Sequence, residues 1–349
     1  MASRRRSSGR RTRKRGGGGR IAALLVFLAV VGAAGAAAFV ALTPFGPLQE
    51  TFVEIAPGSS AAKIGQQLEE AGVIRSRYAF DALRWLRPGR LKAGTYRFAS
   101  AAKPMDVYDR IRRGDVFTIA VTIPEGSTIF DIAGKLEQAG LGPAADFLAV
   151  AKSETALVSD LDPKAANLEG YLFPDTYHFA PKQKPAQIAA AMVKRFRAVA
   201  AQIGLSENVH GVVTAASLVE RETAVDGERP LVASVFVNRE QKQMPLMTDP
   251  AVIYGLQLEG LWRGTIYASD LKRDTPYNTY LHKGLPPGPV ANPGVKSLRA
   301  AMNPAHTDYL YFVAASANPQ GRSLFAATLE EHNRNVQGYR SAVKKAGGR

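Results

Sequence analysis

VTIPEGSTIFDIAGKLEQAGLG, residues 121–142, reads as a short alternating strand, a turn carrying Pro124 and Gly126, a helix entered through serine, and a glycine stop at Gly140. The same phrase occurs once more upstream, as VEIAPGSSAAKIGQQLEEAGVI at residues 53–74. With an offset of 68, Val53, Ile55, Gly58, Ser59, Ile64, Leu68, Glu69, Ala71 and Gly72 match Val121, Ile123, Gly126, Ser127, Ile132, Leu136, Glu137, Ala139 and Gly140. A degenerate repeat of strand, turn and helix makes this part of the chain a small α+β region. Between the copies the pattern predicts a helix over 77–86, a strand over 94–98 and a short helix over 104–113.

Upstream of the repeats lies IAALLVFLAVVGAAGAAAFVALT, residues 21–43, without a charge. As a helix it would reach about 34 Å, enough for a hydrocarbon core of about 30 Å. Pro44, Gly46 and Pro47 stop it. The formal charge of the 349 residues is +15, from 45 basic and 30 acidic side chains. Nine of the basic residues, Arg4, Arg5, Arg6, Arg10, Arg11, Arg13, Lys14, Arg15 and Arg20, fall in the first 20 residues with no acid among them; subtracting them leaves +6 for the rest. Positive charge on one flank of an apolar helix places that flank in the cytoplasm and residues 44–349 outside. A cleaved signal peptide ending near Ala36–Ala38 is the competing reading, opposed by the apolar run continuing through Leu42. A nucleic-acid arm is the other, but topology and anionic lipid explain the arginines more simply.

The expected organisation is therefore a basic cytoplasmic tail (1–20), a transmembrane helix (21–43), a repeat-containing α+β region (44–160) and a second α+β domain (161–343). The second domain opens on the aromatic-rich NLEGYLFPDTYHF, residues 167–179. Helices follow over 185–203, 206–223 and 228–241. Residues 244–293 are rich in Pro, Gly, Asn and Tyr; a connection this long in a compact domain is usually functional. A strand over 309–314 and a final helix, with Thr328 and Glu331 in a capping-box pattern, complete the chain.

Chemistry concentrates in VHGVVTAASLVERETA, residues 209–224. On a helical wheel with Val209 at zero, Val213 falls at about 40°, Ala216 at about 340° and Glu220 at about 20°, inside the apolar stripe. Glu222, at about 220°, is expected in solvent. A carboxyl in apolar surroundings gains a raised pKa and becomes a general acid near neutrality, which glycosidic cleavage requires. The alternative is a glutamate neutralised by an arginine such as Arg229 or Arg239. Cysteine chemistry is excluded, since there is no cysteine. No HExxH pattern or phosphate loop occurs, so neither a metal nor another cofactor is expected.

ASLVERETA (216–224), VASVFVNR (232–239), TDPAVIYG (248–255), YNTY (277–280), GLPPGPVANPG (284–294) and YLYFVA (309–314), with LEGYLFPDTY (168–177) upstream, closely resemble the endolytic murein transglycosylases, the YceG-like family. The repeat region, in turn, resembles lysin-motif modules that hold cell-wall glycan, with a packing scaffold as the equal alternative. The family resemblance implies a single-pass enzyme on the outer face of the cytoplasmic (inner) membrane. Such an enzyme cuts nascent peptidoglycan strands between N-acetylmuramic acid and N-acetylglucosamine without water, leaving 1,6-anhydro ends. It implies Glu220 as the catalytic glutamate, peptidoglycan and the membrane as partners, and peptidoglycan synthases as neighbours; nucleic acid is not among them.

An internal C6 hydroxyl nucleophile explains how one carboxyl could suffice where ordinary glycosidases need two. Asp249 is the candidate second carboxylate, which would make the protein a lysozyme-like muramidase; the other reading is a turn residue before Pro250. Tyr254, Tyr277 and Asn278 are candidate substrate contacts, by stacking on sugars or pairing with an N-acetyl group. Glu169 is a further candidate, or a carboxylate that satisfies backbone donors. A non-catalytic membrane-anchored glycan-binding scaffold accounts for repeats and anchor but not for a glutamate on an apolar face.

Overall fold

The computed structural model describes residues 18–316, 318 and 321–347. Most of the expected basic tail, residues 1–17, lies outside the described residues. The chain divides into two units, up to Phe117 and from Thr118 onward. It is a mixed α and β architecture with three two-stranded antiparallel sheets among the described residues.

The first unit contains α1 (Gly18–Leu42), β1 (Thr51–Ile55), α2 (Ala61–Glu70), α3 (Arg77–Leu86), β2 (Gly94–Phe98) and α4 (Pro104–Arg113). From Arg20 to Phe39 every residue of α1 is exposed, so its apolar side chains have no protein core to bury them. β1 pairs with β2 in the register Val53 opposite Tyr96. The Ser60 side chain accepts a hydrogen bond from the Lys63 backbone N–H and so caps α2. Leu68, Phe80, Tyr108 and Ile111 are wholly buried between the strands and α2–α4. Each such side chain is worth about 1.5–3 kcal/mol of apolar burial.

The second unit begins with the second repeat: β3 (Ile119–Thr122), α5 (Ile129–Gln138), α6 (Ala144–Ser153) and β4 (Thr176–Phe179). β3 pairs with β4, Val121 opposite Tyr177, and both repeats are therefore strand–helix–helix–strand units. In the second copy the link from α6 to its closing strand is longer, residues 154–175 against 87–93, and the extra chain carries Glu169. The division thus falls before the second copy, earlier than the boundary at 160 read from composition. The reason is that β4 and α7 (Pro185–Ile203), from beyond that boundary, complete the sheet and core around Ile132, Leu136, Tyr171 and Phe196. Helix α5 is capped by Thr128 with Asp131 in a capping box, one residue later than the serine expected.

Then come α8 (Val209–Glu222), α9 (Arg229–Gln241), α10 (Asp249–Leu258), α11 (Val295–Met302), the hairpin β5 (Tyr311–Ala314) and β6 (Ser323–Ala326), and α12 (Leu329–Gly347). At the start of α12 the Thr328 hydroxyl accepts the Glu331 N–H as expected, whereas the Glu331 carboxylate accepts the Ala327 N–H rather than closing the box on Thr328. Helix α8 packs on α9, α10 and α11, so it is covered on several sides. The long polar stretch after Met244 is not all loop: Pro250 sits in the first turn of α10, where its missing N–H costs nothing.

Candidate active site

Helix α8 stops at Thr223, whose backbone is extended and whose hydroxyl accepts the Val225 N–H. The two glutamates of the last turn part company there. Glu220 points inward: Oε1 accepts from Arg229 Nη1 at 2.7 Å and Oε2 from the Gly294 N–H at 2.9 Å. The pair is closed off, with 5% of the Glu220 side chain and 6% of the Arg229 side chain accessible. Arg229 is held in turn by Ser297 Oγ at 2.6 Å. This is the arginine-neutralised arrangement that competed with the catalytic reading of Glu220. Each carboxylate oxygen thus accepts from one protein donor.

Glu222 is the carboxyl that lines a pocket, against the expectation that it is simply solvated. The pocket, about 300 Å³, is walled by Glu222, Arg239, Thr248, Asp249, Tyr280 and Phe312. Burial, with a further push from the Asp249 carboxylate, raises the Glu222 pKa from 4.5 to about 7, while the Arg239 and Arg221 charges work in the opposite direction. A helical wheel misses this because the pocket's other walls come from α9, the start of α10, the 280 loop and β5.

The wall residues are held firmly. Arg239 donates to the carbonyls of Leu310 at 2.7 Å and Leu246 at 2.8 Å. The Thr248 N–H donates to Thr279 Oγ1 at 2.9 Å, which fixes the loop beside the first turn of α10. Tyr280 donates its phenol hydrogen to Asp249 Oδ1 at 2.6 Å; burial and this acceptor raise the phenol's pKa. Asp249 is therefore neither a turn residue nor opposite Glu220: it is exposed at the N-terminus of α10, in the pocket with Glu222.

Of the remaining sequence candidates, Asn278, Tyr254 and Glu169 are buried within the protein and Tyr277 is half-buried. Asn278 is wholly buried; its Nδ2 donates to the Leu271 and Arg273 carbonyls at 3.0 and 2.7 Å, and its Oδ1 accepts the Tyr280 N–H. It thus sets the loop that delivers Tyr280, the member of YNTY that reaches the pocket. Tyr254 is buried and meets Tyr277 edge-to-face at 5.2 Å. Glu169 is fully buried, accepting from the Ile129 N–H at 2.9 Å and from Asn292 Nδ2 at 2.6 Å. Desolvation outweighs the hydrogen bonds from the Ile129 N–H and the Tyr254 hydroxyl and lifts its pKa to about 8.

Asn292, which sequence reasoning passed over, joins three motifs. Its side chain also bonds the Ser127 carbonyl and the Leu172 N–H, while its backbone pairs with residues 126 and 127. Next to it, Gly294 approaches Glu125 so closely that a Cβ would lie 1.8 Å from Glu125 Oε1. Glu125, Ser127, Phe130, Asp131 and Arg221 line a second pocket of about 410 Å³. Arg221 borders both pockets, so the two open on adjoining surface.

The sequence pattern of the YceG-like family matches residues 53–338. An endolytic murein transglycosylase of Bacillus subtilis (strain 168) is 33% identical over 311 residues, covering 83% of this chain and 85% of the relative. One of Streptococcus pneumoniae serotype 2 (strain D39 / NCTC 7466) is 34% identical over 319 residues, 81% of this chain and 57% of that longer protein. A crystal structure of a putative yceG-like protein from Listeria monocytogenes is similar with a TM-score of 0.53 and 33% identity, over 82% of this chain and 99% of that one. Identity of this extent, together with the family pattern over most of the chain, makes the protein a member of the YceG-like family.

Proposed function

We propose that the protein is a membrane-anchored endolytic lytic transglycosylase of peptidoglycan, and that its acid–base group is Glu222 rather than Glu220. The names of its relatives support the activity. The observation that carries the residue assignment is the raised carboxyl of Glu222 in an open pocket, two positions from a glutamate locked to Arg229.

With a pKa near neutrality, Glu222 holds a proton that it can deliver to the leaving oxygen of the bond between N-acetylmuramic acid and N-acetylglucosamine. Cleavage leaves positive charge on the anomeric carbon, which the nearby Asp249 carboxylate would stabilise. Glu222, now a carboxylate, takes the C6 hydroxyl proton as that oxygen closes on the anomeric carbon. The proton returns to the enzyme, no water is consumed, and the product end is 1,6-anhydro. Being tethered, the C6 hydroxyl carries an effective molarity of roughly 10⁵ M or more over an outside nucleophile. Adjoining pockets on both sides of Arg221 suit a strand that enters and leaves the site, as internal cleavage requires.

Helix α1 serves as the anchor, with the tail inside and residues 44–349 outside, where nascent strands and their synthases lie. The first repeat, as a strand–helix–helix–strand module, would hold glycan. Asp249 beside Glu222 also favours a second reading, hydrolysis by a carboxylate pair. Mass spectrometry of strands cut by the purified full chain decides between them. Anhydro ends are expected; reducing ends would establish the hydrolase, and uncut strands would refute the enzyme.

A further inference from the structure

Helix α3 has two apolar faces, and the first unit's core uses only one. Phe80 and Leu83 point inward and are buried. Tyr78, Ala82, Trp85 and Leu86, spaced i, i+4, i+7, i+8, form a second stripe on the opposite side. On that stripe Tyr78 is 69%, Trp85 89% and Leu86 77% exposed. Isolated exposed apolar residues are ordinary, but a tyrosine, a tryptophan and a leucine on one helix face need a partner.

The position of this face says what the partner is. Ala36, Ala37, Val40 and Ala41 in the last turns of α1 border a groove of about 430 Å³ whose other wall includes Tyr78 and Leu86. The exit of α1 is pinned: Arg75 lies over the rings of Phe39 at 4.7 Å and Phe45 at 5.0 Å, and Phe45 exchanges two backbone hydrogen bonds with Ala102. Ala36 is six residues before the end of α1, about 9 Å along its axis. A bilayer crossed by α1 therefore reaches the level of α3. Residues 75–92 carry Arg75, Arg77, Arg84, Arg87, Arg90 and Lys92 against a single acid, Asp81. Tyrosine and tryptophan with arginines around an apolar stripe match the headgroup boundary of an anionic bilayer.

We infer that α3 is an interfacial helix that seats Tyr78, Trp85 and Leu86 in the outer leaflet beside α1, with its arginines on anionic phospholipid headgroups. The first unit is thereby held flat on the membrane by two helices rather than swinging on a tether. This rests on the anchoring reading of α1, and the test separates the two.

Trp85 and Trp262 are the two tryptophans of the chain. The full chain carrying Trp262→Phe is reconstituted into vesicles of phosphatidylcholine and phosphatidylglycerol, with or without lipid brominated near the headgroup end of its acyl chains, and floated on a density gradient. Brominated lipid is expected to quench Trp85 emission to roughly half or less. Adding Arg84→Glu and Arg90→Glu is expected to remove most of that quenching. A chain that floats with Trp85 unquenched overturns the inference and leaves the anchor intact. Quenching that ignores the two glutamates overturns the role of anionic lipid. A chain that does not float overturns the anchor and this inference together.

Discussion

Replacing Asp249 by asparagine should move the pH profile of strand cleavage to lower pH. Glu222 has to be protonated to act on the leaving oxygen, so the rate falls as pH rises through its pKa, about 7. That value exceeds the ordinary 4.5 because burial, first, and then the Asp249 carboxylate disfavour the charged form. Two unit charges sharing one pocket at an effective dielectric of about 20 repel by on the order of 2 kcal/mol. Asp249 is exposed, and solvent screening cuts this by about half. The remainder corresponds to a downward shift of about one pH unit in the basic limb. Asparagine keeps the size of the side chain and an oxygen to accept from Tyr280, so geometry is conserved. Initial rates of release of fragments from purified glycan strands, measured from pH 5 to 9, give the limb directly. A basic limb that stays in place or rises would show that Asp249 does not set the acid, and the electrostatic account of the pocket would be wrong.

Arg229→Leu should leave the Glu220 carboxyl buried without its cation and lower unfolding stability by about 3–5 kcal/mol, read by denaturant titration, whereas a loss below about 1 kcal/mol would mean the pair is not shielded from water. Glu169→Ala strips an acceptor from both the Ile129 N–H and the Asn292 amide; a cost of about 2–5 kcal/mol is expected, and an unchanged midpoint would contradict its framework role. Gly170→Ala forces a side chain onto a residue with φ of +88°, with a Cβ 2.6 Å from Pro289 and 2.7 Å from Val213, so thermal melting should show a loss of about 2 kcal/mol or more, and wild-type melting would deny the close approach.

Local patterns were legible and long-range ones were not. The repeat at offset 68 foretold β1, α2, β3 and α5, because strand alternation and glycine stops are properties of adjacent residues. It could not show that the second copy closes on β4, since the pairing of Val121 with Tyr177 spans an insertion. Helix α10 was hidden by Asp249–Pro250, which reads equally as a turn or as a first helical turn. At the site, the wheel placed Glu220 on a buried face, as the structure does, but gave no sign of its arginine partner. Burial alone does not distinguish a desolvated acid from one paired to an arginine nine residues on. Asn278 and Glu169 read as ligand-binding candidates because their partners are set by the folded chain; the bond between Glu169 and Asn292 joins residues 123 apart in sequence.

The claim on which the rest depends is the division of labour between Glu220 and Glu222, and a pair of isosteric variants tests it. Glu222→Gln should fold with an unchanged melting temperature and lose cleavage of glycan strands by at least about a thousandfold. Glu220→Gln should melt earlier, because an amide cannot both neutralise Arg229 and accept from Gly294, yet still cut strands at temperatures where it is folded. The reverse pattern, with a folded but inactive Glu220→Gln and an active Glu222→Gln, would contradict the account.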